Sequence, residues 1–132
     1  LTLTTDQHKF APKPASLVAL WFSVLGGPLA WVLHNVGSYW AATVLCSMAG
    51  QVLLVHGFTV VTALISLATA LVGWRIRSRL KGETDWPDEY RISKERALFM
   101  AGYGVLSGIL FLVVILAEGI PGLLIDPCLP PM

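Results

Sequence analysis

Pro14 to Trp74 reads PASLVALWFSVLGGPLAWVLHNVGSYWAATVLCSMAGQVLLVHGFTVVTALISLATALVGW. It contains no Asp, Glu, Lys or Arg. Crossing a bilayer takes roughly 20 apolar residues, so this stretch is long enough for two crossings joined by a turn. A second uncharged stretch, Ala97 to Ala117, is long enough for one more. The spans are expected at about residues 17–43, 51–74 and 97–118. The first is too long for the core of a signal peptide, and a buried helix of a soluble domain would be shorter and broken by polar turns.

The whole composition agrees. Of 132 residues, 55% are hydrophobic and 13% charged, and the mean hydropathy is +0.71. A soluble domain of this size has too little interior for so much apolar surface. The excess must face lipid or a partner. The formal charge of +1 lacks the basic surplus that nucleic-acid binding requires.

Charge placement sets the expected orientation. The nine basic residues are Lys9, Lys13, Arg75, Arg77, Arg79, Lys81, Arg91, Lys94 and Arg96. With three crossings they all fall in residues 1–16 or in the loop 75–96, which share one side. The positive-inside rule makes that side the cytoplasm and places the C-terminus outside. The expected fold is therefore an all-α membrane protein with three transmembrane helices, an antiparallel hairpin plus a third helix. A cytoplasmic arm (1–16) precedes the transmembrane domain (17–118), and an apolar tail (119–132) follows on the outer side. The expected location is the bacterial inner membrane, as a multi-pass protein.

Several local features refine this plan. Gly26, Gly27 and Pro28 are expected to loosen or kink the first helix, because proline removes a backbone hydrogen bond. The run Arg75 to Lys81 reads as a topology-fixing stop-transfer cluster, with anionic lipid headgroups as the alternative use. After it, Asp85 is expected to cap a short amphipathic helix, with Asp88 three residues on.

Helix contacts in lipid favour small residues, since close backbone approach maximises dispersion. The first helix carries Ser23, Gly27, Ala30, His34, Gly37 and Ala41 at steps of three and four. The second carries His56, Thr59, Ala63, Ser66, Ala70 and Gly73 in the same way. Each set lies on one face, and the two faces are expected to meet. Gly104 and Gly108 form a GxxxG spacing on the third helix, a seam for the hairpin or for a neighbouring subunit.

His34 and His56 are the candidate chemistry. They lie twelve and ten residues from Cys46, which suggests equal depth if the hairpin turns there. Two facing histidines are the axial ligand set of a haem, and Gly37 and Gly57 would ease entry of the ring. The plainer account leaves both neutral, each satisfied by a carbonyl or by Asn35, Ser38 or Thr59, and requires no cofactor. That account is preferred, because direct contact of the two faces leaves no room for a macrocycle. No metal site is expected.

Cys46 and Cys128 are the only cysteines, and the topology puts both on the oxidising side. A structural disulfide between the first turn and the tail is expected, worth about 2–4 kcal/mol. Free thiols and reactive thiols are the alternatives, although no Cys-x-x-Cys pair is present. Glu118 is the single acid adjoining a span, at its outer edge. A proton-coupled transporter would place a charge nearer the midplane. Phosphate loops, His-Glu-x-x-His pairs and paired-carboxylate sites are missing from the sequence, so an enzyme is not expected.

The segments Gly26 to His34, Cys46, His56-Gly57 and Leu124-Ile125-Asp126-Pro127-Cys128 resemble small three-helix bacterial membrane proteins. Those proteins are found with haem–copper terminal oxidases and alternative complex III, and have no established chemistry of their own. The resemblance implies an accessory role in a respiratory or photosynthetic electron-transfer complex, with other integral membrane subunits and lipids as partners. It assigns no role to His34 or His56. A bis-histidine haem- or metal-binding electron carrier is the alternative function, and a small oligomeric transporter the second.

Overall fold

A computed structural model describes residues 16–44, 46 and 50–125. Among these, the secondary structure is helical throughout. α1 runs Leu17–Val44, α2 Gln51–Gly82 and α3 Arg91–Gly119; a single short helix, α4, follows at Pro121–Leu124. The three long helices are each apolar and long enough to cross a membrane. The chain is thus a helical protein with three membrane-crossing candidates, and the three pack against one another.

The helices outrun the expected spans. α2 continues eight residues beyond Trp74, through the arginine cluster to Gly82. Arg, Leu and Lys are good helix formers, so nothing in Arg75 to Lys81 stops it until glycine arrives. The expected loop 75–96 shrinks to Glu83–Pro87 and a 3-10 turn at Asp88–Tyr90, which leads directly into α3. The expected cap at Asp85 does not form. Pro87 occupies the cap position of the turn, with no side-chain hydrogen bond, since proline fixes an extended approach and needs no donor. Lys94 ties this connection down: its ammonium donates to the Glu83 carbonyl and lies 5.4 Å from the centre of the Trp86 ring.

α1 is helical without interruption through Pro28. The expected loosening at Gly26-Gly27-Pro28 does not break the element. At the start of α2, Gly50 has φ +104°, a left-handed conformation that other residues adopt at a cost.

Burial is inverted relative to a soluble bundle. Large side chains such as Leu29, Leu64 and Leu106 are mostly exposed, whereas Ser23, Ala41, Ser66, Thr69 and Ala101 are fully enclosed. Small residues let the backbones approach, which is how helices gain dispersion where lipid tails are as apolar as leucine. A Cβ added to Gly104 would lie 2.7 Å from the Ser23 carbonyl oxygen; one on Gly108 would lie 2.8 Å from the Ala70 nitrogen. Gly73 is equally close to the Ala101 carbonyl. No side chain fits at these crossings.

These contacts revise how the small-residue faces are used. The α1 and α2 faces meet, and α3 packs against both. Ser23 and Gly27 lie against Gly104, Ser107 and Phe111 of α3, and Ala70 and Gly73 lie against Gly108 and Ala101. α3 fills the angle between α1 and α2, so each face is shared between two neighbours. Direct α1–α2 contacts include Gly26 against Thr69, His34 against Thr62 and Gly37 against the Phe58 ring. Ala30, Ala63 and Ile115, one from each helix, form a small apolar core. Partner numbers fall along α2 as they rise along α1, and rise along α3 from Ser23–Gly104 to Asn35–Glu118.

Candidate functional site

The helical repeat puts Trp31, His34 and Asn35 on one face of α1, at spacings of three and four. The same face meets the end of α3, and there Glu118 gathers all three. Trp31 Nε1 donates to Glu118 Oε1 at 3.1 Å, and Asn35 Nδ2 donates to Oε2 at 3.4 Å. His34 Nε2 lies 3.8 Å from the same Oε2. Asn35 also donates to the Trp31 carbonyl of its own helix at 3.0 Å, which holds its amide in place beneath the carboxylate.

On its other side His34 meets α2. Thr62 Oγ1 is 3.4 Å from His34 Nδ1 and 2.6 Å from the Phe58 carbonyl. A threonine hydroxyl has one proton. The short contact to a carbonyl, a pure acceptor, takes that proton, and the imidazole lies on the longer side of the hydroxyl. Nε2 then faces the carboxylate. The separation of 3.8 Å makes this edge an ion pair only when the imidazole is protonated.

The two ends of this chain differ in access. The His34 side chain is 5% exposed and the Glu118 side chain 37%. Glu118 thus keeps one side toward the exterior of the bundle while His34 is enclosed. His34 lies 17 residues along α1 from Leu17, about 25 Å at the helical rise. In a hydrocarbon core of ~30 Å, that is close to the end remote from the arginines.

His56 is not part of this site. It is half-buried, and it lies beside Gly122 of α4, where an added Cβ would be 3.9 Å from the imidazole. The α2 residue facing His34 is Thr62, six residues further along than His56, an axial offset of about 9 Å. The expected equal depth fails because the helices pair with Gly37 beside Phe58, not with a turn centred on Cys46. A haem between the two histidines does not fit: Gly37 is closed by the Phe58 ring at 2.7 Å from an added Cβ, and both His34 nitrogens face protein groups. Gly57 has open space beside it, but no second ligand approaches there. Among the described residues no group of three or more His, Cys, Asp or Glu is placed to hold a metal ion.

The remaining expected residues have these positions. Gly27, Ala30, Gly37, Ala63, Ala70, Gly73, Gly104 and Gly108 all lie at helix contacts. Cys46 is described but Cys128 is not, so their expected bridge lies outside the described residues. The arm 1–15 and residues 126–132 of the tail also lie outside them. Sequence reasoning placed Glu118 at an outer edge and gave Trp31 and Thr62 no part in a site. A signal was present: Trp31, His34 and Asn35 share a face, and one acid adjoins the spans. What was missing was the α1–α3 register that joins them.

The chain matches no family model, no curated protein and no solved structure.

Proposed function

We propose that the chain is an accessory, non-catalytic subunit of a larger membrane complex, embedded as an antiparallel hairpin with a third helix beside it. The observation that carries this reading is a groove of about 580 Å³ along α1. It runs past Trp21, Leu25, Gly26, Leu29, Ala30 and Ile65, with no charged residue in its lining. Large apolar side chains form its walls, and the buried Gly26 and Ala30 lie beneath them. That shape suits the apolar side chains of a partner's transmembrane helix, which gain dispersion by filling it. The small-residue seams themselves are occupied within the chain, so the groove is the face left for assembly.

The positive-inside pattern supports a cytoplasmic N-terminus and a C-terminus on the outer side of a bacterial inner membrane. In that orientation Cys46 and Cys128 share the oxidising side, and a bridge between them would hold the tail near the α1–α2 turn. The resemblance noted above supports an electron-transfer complex as the host. Solubilising native membranes in a mild detergent and identifying what copurifies is the test. Cytochrome-bearing subunits are expected with the chain; recovery as a lone monomer overturns the reading.

A second reading rests on the enclosed His34 imidazole lying 3.8 Å from the part-exposed Glu118 carboxylate. Such a pair suits a small oligomeric transporter that exchanges protons at the exposed carboxylate. Proton flux into liposomes carrying the wild-type chain, abolished in Glu118→Gln, would favour it. Equal flux in both would remove it.

A further inference from the structure

At the basic end of the bundle a second groove, of about 390 Å³, lies between α2 and α3. Trp74, Arg77, Phe99, Gly102, Tyr103 and Leu106 line most of it. It differs from the α1 groove in having a cation at its edge. Arg77 reaches across the helix interface and donates from Nη1 to the Leu98 carbonyl at 3.2 Å. Gly102 makes this reach available: a Cβ there would lie 2.5 Å from the same nitrogen. The guanidinium is therefore held in a notch of α3. One of its five N–H donors is used in that bond, leaving four for another acceptor.

The groove crosses the boundary where charge begins. Trp74 ends the uncharged stretch of α2, and Ala97 begins that of α3. Arg77 is thus at headgroup level, while Tyr103 and Leu106 continue one to two turns into the apolar span. Between Trp74 and Ala97 the chain carries seven basic residues, Arg77 among them, against the five acids Glu83, Asp85, Asp88, Glu89 and Glu95. The local balance is basic.

We infer that this groove binds an anionic phospholipid, its phosphate on Arg77 and an acyl chain along Phe99, Tyr103 and Leu106. A planar guanidinium presents paired donors that match two phosphate oxygens. Trp74 and Tyr103, both about half exposed or more, offer the ring-and-dipole surface that interfacial aromatics provide. The apolar wall requires a chain attached to the phosphate, which separates this site from one for free phosphate.

The test uses the full-length protein in detergent micelles with equal amounts of phosphatidylglycerol and phosphatidylcholine, read by native mass spectrometry. The wild-type chain is expected to retain phosphatidylglycerol about tenfold over phosphatidylcholine, the scale of one charge-assisted contact. Arg77→Gln is expected to lose that preference, and Arg75→Gln to keep it. Equal retention of the two lipids by the wild type overturns the inference, as does an equal loss in both variants, which would signify diffuse attraction to a basic surface. Displacement of the lipid by millimolar inorganic phosphate would also overturn it in favour of a free-anion site. Should Arg77→Gln not fold, fluorescence quenching by brominated lipid decides with stable chains. Brominated phosphatidylglycerol is expected to quench the wild type more than Trp74→Phe, with brominated phosphatidylcholine making no such distinction. No difference between the two lipids would sink the proposal.

Discussion

Between Ser23 and Gly27, α1 meets α3 backbone to backbone, with Gly104 pressed on the Ser23 carbonyl. One turn further on, between Trp31 and Asn35, the same two helices meet through side chains gathered on Glu118. The first contact is dispersion across a close approach and has no tolerance for volume. The second is a set of directed polar contacts around one half-open carboxylate, which water or a polar substitute can partly replace. Helix pairs in a membrane can thus be held by shape in one stretch and by polarity in the next. The two regions should fail differently when altered.

The largest effect is expected in the close-packed region. Gly104→Val places a branched side chain where even a Cβ would be 2.7 Å from backbone, and should cost about 3 kcal/mol. Titration with a denaturing detergent, followed by circular dichroism, should show α3 separating early. A wild-type midpoint would mean that the crossing is looser than the structure has it.

Glu118→Ala comes next, at about 2 kcal/mol, because Trp31 and Asn35 lose their shared acceptor and His34 the carboxylate beside it. Trp31 emission should shift as its indole N–H loses the carboxylate. Glu118→Gln sharpens the comparison, since it keeps an acceptor for Trp31 while removing the charge. A loss as large as that of alanine would assign the region's contribution to the ion pair; a loss near zero would assign it to hydrogen bonding.

Thr62→Val removes the hydroxyl that His34 Nδ1 meets, at nearly constant volume. Polar contacts between membrane helices average about 0.6 kcal/mol, so the thermal midpoint in detergent should fall only slightly. A drop as large as that from Gly104→Val would contradict the division between shape and polarity.

The smallest change is expected outside both regions. Gly57 has nothing within 4 Å of an added Cβ. Gly57→Ala should stabilise by about 0.5 kcal/mol through the unfolded chain. A destabilisation measured in native membranes but not in the isolated protein would reveal a partner seated on that face.

The shape-held region was largely legible in the residues. Ser23, Gly27, Ala30 and Gly37 recur at helical spacing, and all four are buried on α1. Periodicity states which face is turned inward because it depends on the 3.6-residue repeat alone. It does not state which neighbours that face meets, and here the α1 face is shared between α2 and α3. The polar region was scarcely legible. His34 stood out as an intramembrane histidine, but its partners are 28 and 84 residues away in the chain. No local pattern connects His34 to Thr62 or to Glu118.

The long uncharged stretches by themselves determined three apolar helices of membrane-crossing length, since nothing else can hide so many apolar side chains and backbone groups from water. They also determined which residues would face inward, because the helical repeat is local. The tertiary structure alone decided the register between helices. That register sets His34 against Thr62 and Glu118, leaves His56 beside Gly122, and carries Arg77 into the notch at Gly102. The reason is physical. A helix forms from contacts within four residues, whereas sliding one helix past another changes only which distant side chains meet.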